Sequence, residues 1–154
     1  MLKKPYLLLA LPLYLLFTSC GETPCANAEL RIRLINMSDT ESDTLIMRRL
    51  QKNSMVVIDS FNFFNAIRFI RFGDTLIPQA YPYSLIMQSK YDYQLYFPGA
   101  ARQFHITNIN EVISTHKKSG FTDKTGCINP ISGCRVDGTE VSAIQFPNSI
   151  YLKK

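Results

Sequence analysis

Two histidines in 154 residues leave little imidazole to build a reactive site from, and the usual frames for such a site are missing. No G-x-S-x-G turn presents a serine nucleophile. No Gly-rich loop is placed to cradle phosphates, and no H-E-x-x-H pair stands ready for zinc. The sequence therefore offers no catalytic set, no metal site and no cofactor motif. It shows no internal repeat, heptad series or low-complexity block. No long amphipathic segments separate the apolar stretches, which argues against a parallel α/β fold. Concentrated charge is lacking too. The net charge is +5, and downstream of residue 19 the only adjacent basic pairs are Arg48-Arg49, Lys117-Lys118 and Lys153-Lys154. A nucleic-acid footprint would gather such residues on one face, so no nucleic-acid partner is expected.

What the chain does carry is an address. Lys3 and Lys4 precede an uncharged apolar run, Pro5 to Phe17, and the small residues Thr18 and Ser19 come directly before Cys20. That order is the layout of an export signal. The run is shorter than the roughly 20 residues a membrane-spanning helix needs, so it is expected to be a cleaved signal helix. Phe17-Thr18-Ser19-Cys20 resembles the lipobox of bacterial lipoproteins. The resemblance implies that residues 1–19 are a signal peptide and that Cys20 becomes the lipid-modified first residue. Each buried methylene of its acyl chains would add about 0.8 kcal/mol of membrane affinity. Gly21 stands where an Asp would resemble an inner-membrane retention signal, which implies the outer membrane of a bacterial cell envelope. Residues 20–27 then read as a short lipidated tether, and 28–154 as a single domain of a size that folds alone.

Lipidation of Cys20 would leave Cys25, Cys127 and Cys134. Three thiols in an oxidising compartment imply one disulfide and one free cysteine. A local Cys127–Cys134 bridge and a long-range bridge from Cys25 to either partner both remain open. The long loop is worth about 4–5 kcal/mol in chain-entropy terms, and the short one about 2–3.

Period-two alternation dominates the rest. Ala28 to Asn36 sets Leu30, Ile32 and Leu34 against Glu29, Arg31 and Arg33, the clearest first strand. Met37 to Asp43 reads as an acidic loop. Thr44 to Gln51 and Met55 to Ser60 suggest a hairpin, with a helix over Leu45 to Leu50 as the alternative. Ile67 to Phe72, Thr75 to Ile77 and Tyr83 to Gln88 are further strand candidates. Tyr91 to Phe97 and Gln103 to Asn108 flank a Pro98-Gly99 turn and form the most convincing hairpin. Asn110 to Lys118 reads as a strand or short helix, and Ser119 to Ser132 as loop. Cys134 to Val136 and Thr139 to Phe146 flank Asp137-Gly138, which suits a type I′ turn. Ile150 to Lys154 ends the series. The expected fold is all-β, a small antiparallel sandwich or partly open barrel. Over Cys20, Pro24 to Leu30, Tyr93 to Pro98, Ile106 to Asn108 and Cys127 to Ile131, the chain resembles small uncharacterised β-rich bacterial lipoproteins. That resemblance implies no activity.

His105 falls on the polar side of a strand and His116 lies beside Lys117-Lys118, positions that suit solvated histidines better than a catalytic base. Asp39, Glu41 and Asp43 lack the later glycine and glutamate of a calcium loop. Tyr81, Tyr83 and Tyr96 remain as residues that could stack on a sugar or anchor a partner from loops or an outward face. The expected role is a membrane-anchored, non-enzymatic envelope module that binds or assembles with a protein or glycan. The alternative is a small envelope hydrolase with an unrecognised active site. The preferred loops are Ala80 to Tyr83 and Ser119 to Gly133.

Overall fold

The computed structural model describes residues 22–79, 85–117, 127–142 and 148–154. Its strands are β1 (Glu22–Pro24), β2 (Arg31–Ile35), β3 (Thr44–Gln51), β4 (Val57–Phe64), β5 (Phe69–Phe72) and β6 (Thr75–Pro78). They continue with β7 (Tyr91–Phe97), β8 (Arg102–Glu111), β9 (Thr115–Lys117), β10 (Ile131–Val136), β11 (Thr139–Val141) and β12 (Ser149–Lys153), with one helical turn, α1 (Asp39–Ser42), before β3. A six-stranded sheet in the order β11-β10-β8-β7-β3-β4 packs on a four-stranded sheet ordered β12-β2-β6-β5. The expected sandwich is what forms, and neither sheet closes into a barrel.

Alternation explains the two layers. Leu45 and Met47 of β3, Tyr93, Leu95 and Phe97 of β7, and Phe104 and Ile106 of β8 point inward from the large sheet. Ile32, Leu34, Leu76, Ile150 and Leu152 answer them from the small sheet. All are buried in one core cluster, and truncating one of these aliphatic side chains to Ala would cost roughly 2–5 kcal/mol. Phe97 and Phe104 meet edge to face across the β7–β8 pair, with centroids 6.2 Å apart.

Left-handed backbone recurs where the chain turns, and asparagine supplies most of it: Asn36, Asn53, Asn65, Asn108 and Asn148 all have positive φ. Short polar side chains that bond locally make this conformation less costly than it is for other L-residues. The β10–β11 turn uses Asp137 (φ 50°) and Gly138 (φ 80°), the two positive values a type I′ turn demands.

Several expectations give way. Glu22 to Asn27 is not a loose tether: β1 pairs antiparallel with β9, and Ala26 bridges Ile128. The acidic loop contains a helical turn because Ser38 and Glu41 form a reciprocal capping box. The helix alternative for Leu45 to Leu50 loses to a central strand paired on both sides. Tyr83 to Gln88 is not a paired strand over its described part, where Met87 makes one isolated bridge to Leu30. Within Ser119 to Ser132, Ile131 already begins β10. The sheets are not wholly antiparallel either, since β12 runs parallel to β2 over five residues.

Candidate functional site

The outward face of the large sheet gathers residues that are far apart in sequence. Tyr96 lies opposite Ile46 on one side and Gln103 on the other. In the next row Gln94 lies opposite Arg48 and His105. Because side chains alternate across a strand, Tyr96 and Gln94 share the face that their buried neighbours Leu95 and Phe97 do not use. Tyr96 is 37 % exposed, the one outward tyrosine of this face among the described residues.

The polar groups around it are oriented by each other. Arg48 Nη1 donates to Gln94 Oε1 at 2.9 Å, and the Gln103 amide donates to His105 Nε2 at 2.6 Å. The His105 backbone N–H donates to Asp137 Oδ1 at 2.8 Å, and Arg102 Nη2 donates to Asp137 Oδ2 at 3.2 Å. One strand further, Thr107 faces Arg135 and Arg135 faces Glu140. A half-open depression of about 280 Å³ lies here, lined by Asn108, Asn110, Cys134, Arg135 and Glu140. Tyr96 and this depression are offset by two strand spacings across the sheet and by at least four residues along it, a separation of about 16 Å or more. The surface is thus an exposed aromatic ring beside planar amide, guanidinium and imidazole groups, running into a polar hollow.

A second, half-buried polar cluster ties the N-terminal segment to the body. Glu111 accepts from the Ala28 backbone N–H at 2.8 Å, from Asn129 Nδ2 at 2.7 Å and from the Ser89 hydroxyl. Asn129 Oδ1 in turn accepts from the Ser114 N–H at 3.0 Å and hydroxyl at 3.1 Å. Burial works to raise the Glu111 pKa, but the bonds from Ser89, Asn129 and Ala28 outweigh it and hold the carboxyl below 4.5. A cluster whose donors and acceptors satisfy one another this closely serves the fold. Asp92 acts similarly, accepting from the backbone N–H groups of Asn53 at 2.7 Å and Asn108 at 3.2 Å, two of the left-handed residues.

Cys25 and Cys127 form the disulfide, with Cα atoms 4.8 Å apart. Cys134 is the remaining thiol and is buried, where desolvation pushes its pKa up to about 11. Asp39 pairs with Arg71, and Glu41 with Lys154. Among the described residues no group of three His, Cys, Asp or Glu is arranged to hold a metal ion. His116 sits in β9 of the two-stranded sheet, opposite Thr23, whereas His105 sits in β8 of the six-stranded one. Cys20, Tyr81 and Tyr83 lie outside the described residues, as do the loop 80–83 and most of 119–133.

Of the expected binding residues, the structure therefore places Tyr96, and surrounds it with Arg48, Gln94, Gln103 and His105. Sequence reading named His105 only as a solvated histidine and passed over Arg48, Gln94 and Gln103, because polar residues on alternate strand positions are what any solvated sheet face carries. The informative signal is cross-strand register, which pattern alone does not supply. No protein-family model, curated protein or solved structure matches the chain.

Proposed function

We propose that this chain is a bacterial envelope lipoprotein, held to the outer membrane through a lipid on Cys20, that acts as a non-enzymatic binding module for a glycan. The observation that carries the binding reading is the exposed Tyr96 ring beside the Arg48–Gln94 and Gln103–His105 pairs. A sugar ring presents an apolar C–H face and equatorial hydroxyls. Tyr96 offers a flat apolar surface to the first, and planar side chains with both donors and acceptors suit the second. The hollow by Arg135 and Glu140 lies further along the same face, within reach only of a longer oligosaccharide. The lipid assignment rests on Lys3-Lys4, the apolar run and Thr18-Ser19-Cys20. The enzyme alternative has less support, because His105 is engaged by Gln103 and the residues facing it across the strands are Gln94 and, through its backbone, Asp137.

The test is calorimetric titration of the full chain with oligosaccharides prepared from envelope glycans. Binding weakened at least about tenfold by Tyr96→Ala, equivalent to roughly 1.4 kcal/mol, supports the reading. Absence of glycan binding, capture of a protein through the same face, or turnover abolished by His105→Ala would each overturn it. Cys20→Ala should abolish labelling by fatty acid, and equal labelling of the variant would remove the anchor.

A further inference from the structure

The small sheet turns an unusual face to the outside. Ile32, Leu34, Leu76, Ile150 and Leu152 point inward from it, so alternation assigns the residues between them to the outer side. Register lays these out in rows. Lys153 lies beside Ile35, Ile35 beside Thr75, and Thr75 beside Phe72. Two residues along each strand, Tyr151 lies beside Arg33 and Ile77 beside Ile70. Arg31 of β2 begins a further row. The face is flat and measures about 14 Å across its four strands and about 13 Å along β2.

Its two halves differ in chemistry. A sheet with one side open to water ordinarily turns polar residues to it. Here the β6–β5 half is apolar instead, with Ile70 42 % exposed and Phe72 62 % exposed. The β12–β2 half is basic. Arg31 pairs with Glu29 at 3.4 Å, but Arg33 and Lys153 have no carboxylate partner among the described residues. Arg33 Nη1 donates to the Tyr151 hydroxyl at 3.1 Å, and its guanidinium carbon lies 5.6 Å from the centroid of that ring. Two acids stand at the margins. Glu41 is held by Lys154. Asp74 accepts from the Thr75 hydroxyl at the β5–β6 turn, about two strand spacings or 10 Å from the Lys153 side.

A basic strip with a tyrosine, beside a flat apolar strip, suits the surface of an anionic bilayer. Cations gain by approaching the headgroups, tyrosine favours the boundary, and apolar side chains enter the edge of the acyl region. A twofold contact with a second copy through this face would not supply the counter-charge. The copy presents the same unpaired cations, and its Glu29 is already engaged by Arg31.

We propose that the outward face of the small sheet rests on a bilayer containing anionic phospholipid, with Arg33 and Lys153 at the headgroups and Ile70 and Phe72 in the acyl boundary. The proposal takes the membrane location from the lipid-anchored reading above, but the contact has its own affinity. It turns the Tyr96 face, which belongs to the other sheet, away from the membrane.

The chain contains no tryptophan, so a single introduced one reports alone. Phe72→Trp in the full chain, reconstituted into vesicles of phosphatidylglycerol and phosphatidylcholine, should be quenched by phospholipid brominated in its acyl chains. Phe64 follows the buried Phe63 in β4 and faces out of the other sheet, 73 % exposed. The tryptophan of Phe64→Trp therefore stands at least one intersheet distance of about 10 Å farther from the lipid. It should be quenched at least about threefold less, since such faces enter only about 5–10 Å. Adding Arg33→Gln and Lys153→Gln to Phe72→Trp should cut its quenching at least about fivefold, as the loss of two cations at an anionic surface requires, with an unchanged circular dichroism spectrum. Without any change at the basic residues, vesicles of phosphatidylcholine alone should give the same loss. Fatty-acid labelling of Cys20 is read separately, so failure of the anchor and failure of this contact are told apart. Equal quenching of the two tryptophans, quenching that survives in phosphatidylcholine alone or in the Arg33 and Lys153 variant, or an acidic protein that occupies the face and excludes lipid would each overturn the proposal.

Discussion

Glu111 accepts a 2.7 Å hydrogen bond from the side-chain amide of Asn129, and through it the end of β8 is bound to the strand connection that carries Cys127. Asn129 is 4 % exposed, so its amide has little water to fall back on. Glu111→Ala should leave Asn129 and the Ala28 N–H without their acceptor and lower unfolding stability by about 3 kcal/mol, given that bonds to charged groups contribute roughly 1.5–3 kcal/mol each. Denaturant melts of both forms at neutral pH check this.

Acid sensitivity follows from the same carboxyl. The folded pKa of Glu111 lies below its ordinary 4.5, with burial opposing and the three donors prevailing. A depressed folded value means that its contribution is complete above the unfolded pKa and is lost as pH falls through the folded one. Glu41 behaves alike at lower pH, since Lys154 first and then Ser38 hold it at about 2. Stability measured from pH 5 to pH 2 should fall less steeply in Glu111→Gln than in the unsubstituted chain. In Glu41→Gln the flattening should span the pH interval from about 4.5 down to about 2.

The disulfide spans 102 residues in sequence. Loop closure of that length corresponds to about 4.7 kcal/mol, so Cys25→Ser with Cys127→Ser should lower stability by roughly that amount. Thermal unfolding with and without reductant should shift the unsubstituted chain and leave the double variant unmoved.

Cys134 should resist alkylation in the folded chain. With its pKa raised to about 11 by burial, only about one thiol in a thousand is ionised at pH 8, and thiolate is the reactive form. Iodoacetamide should label it at a normal rate only once denaturant is added, as peptide mapping would show.

Gly99 packs against α1, and a Cβ there would lie 2.8 Å from the Thr40 carbonyl oxygen and 2.9 Å from the Glu41 Cα. Both are backbone atoms that cannot swing aside. Gly99→Ala should therefore cost roughly 1–3 kcal/mol by overpacking, whereas Gly138→Asn, at a turn with open space, should cost much less. Parallel denaturant melts compare the two.

Much of the sandwich was legible because period two is a direct imprint of two-layer packing. Leu30, Ile32 and Leu34, or Tyr93, Leu95 and Phe97, face the core as their alternation requires. The helical turn at Asp39 was missed although Ser38 and Glu41 carry its capping signature, since four residues give no apolar period to notice. The phenylalanine-rich stretch 61–72 carries no single period because it is the end of one strand, a turn and a second strand. Asn65 breaks it at a position where only φ, not composition, marks the change. Disulfide choice and the pairing of β1 with β9 depend on contacts across most of the chain, which no local pattern encodes. The Tyr96 surface was legible only as one aromatic residue, its partners being fixed by register.

The parallel pairing of β12 with β2 has a consequence for how the protein is made. Arg31 meets Ser149, so during synthesis β2 emerges well over a hundred residues ahead of the neighbour that flanks it. At about 5–20 residues per second, its outer backbone groups stand without that partner for roughly 6–24 seconds. The small sheet cannot be completed while the ribosome is still adding residues 149–153. Its assembly waits for β12, and until then the nascent chain offers an incomplete sheet to whatever chaperone meets it.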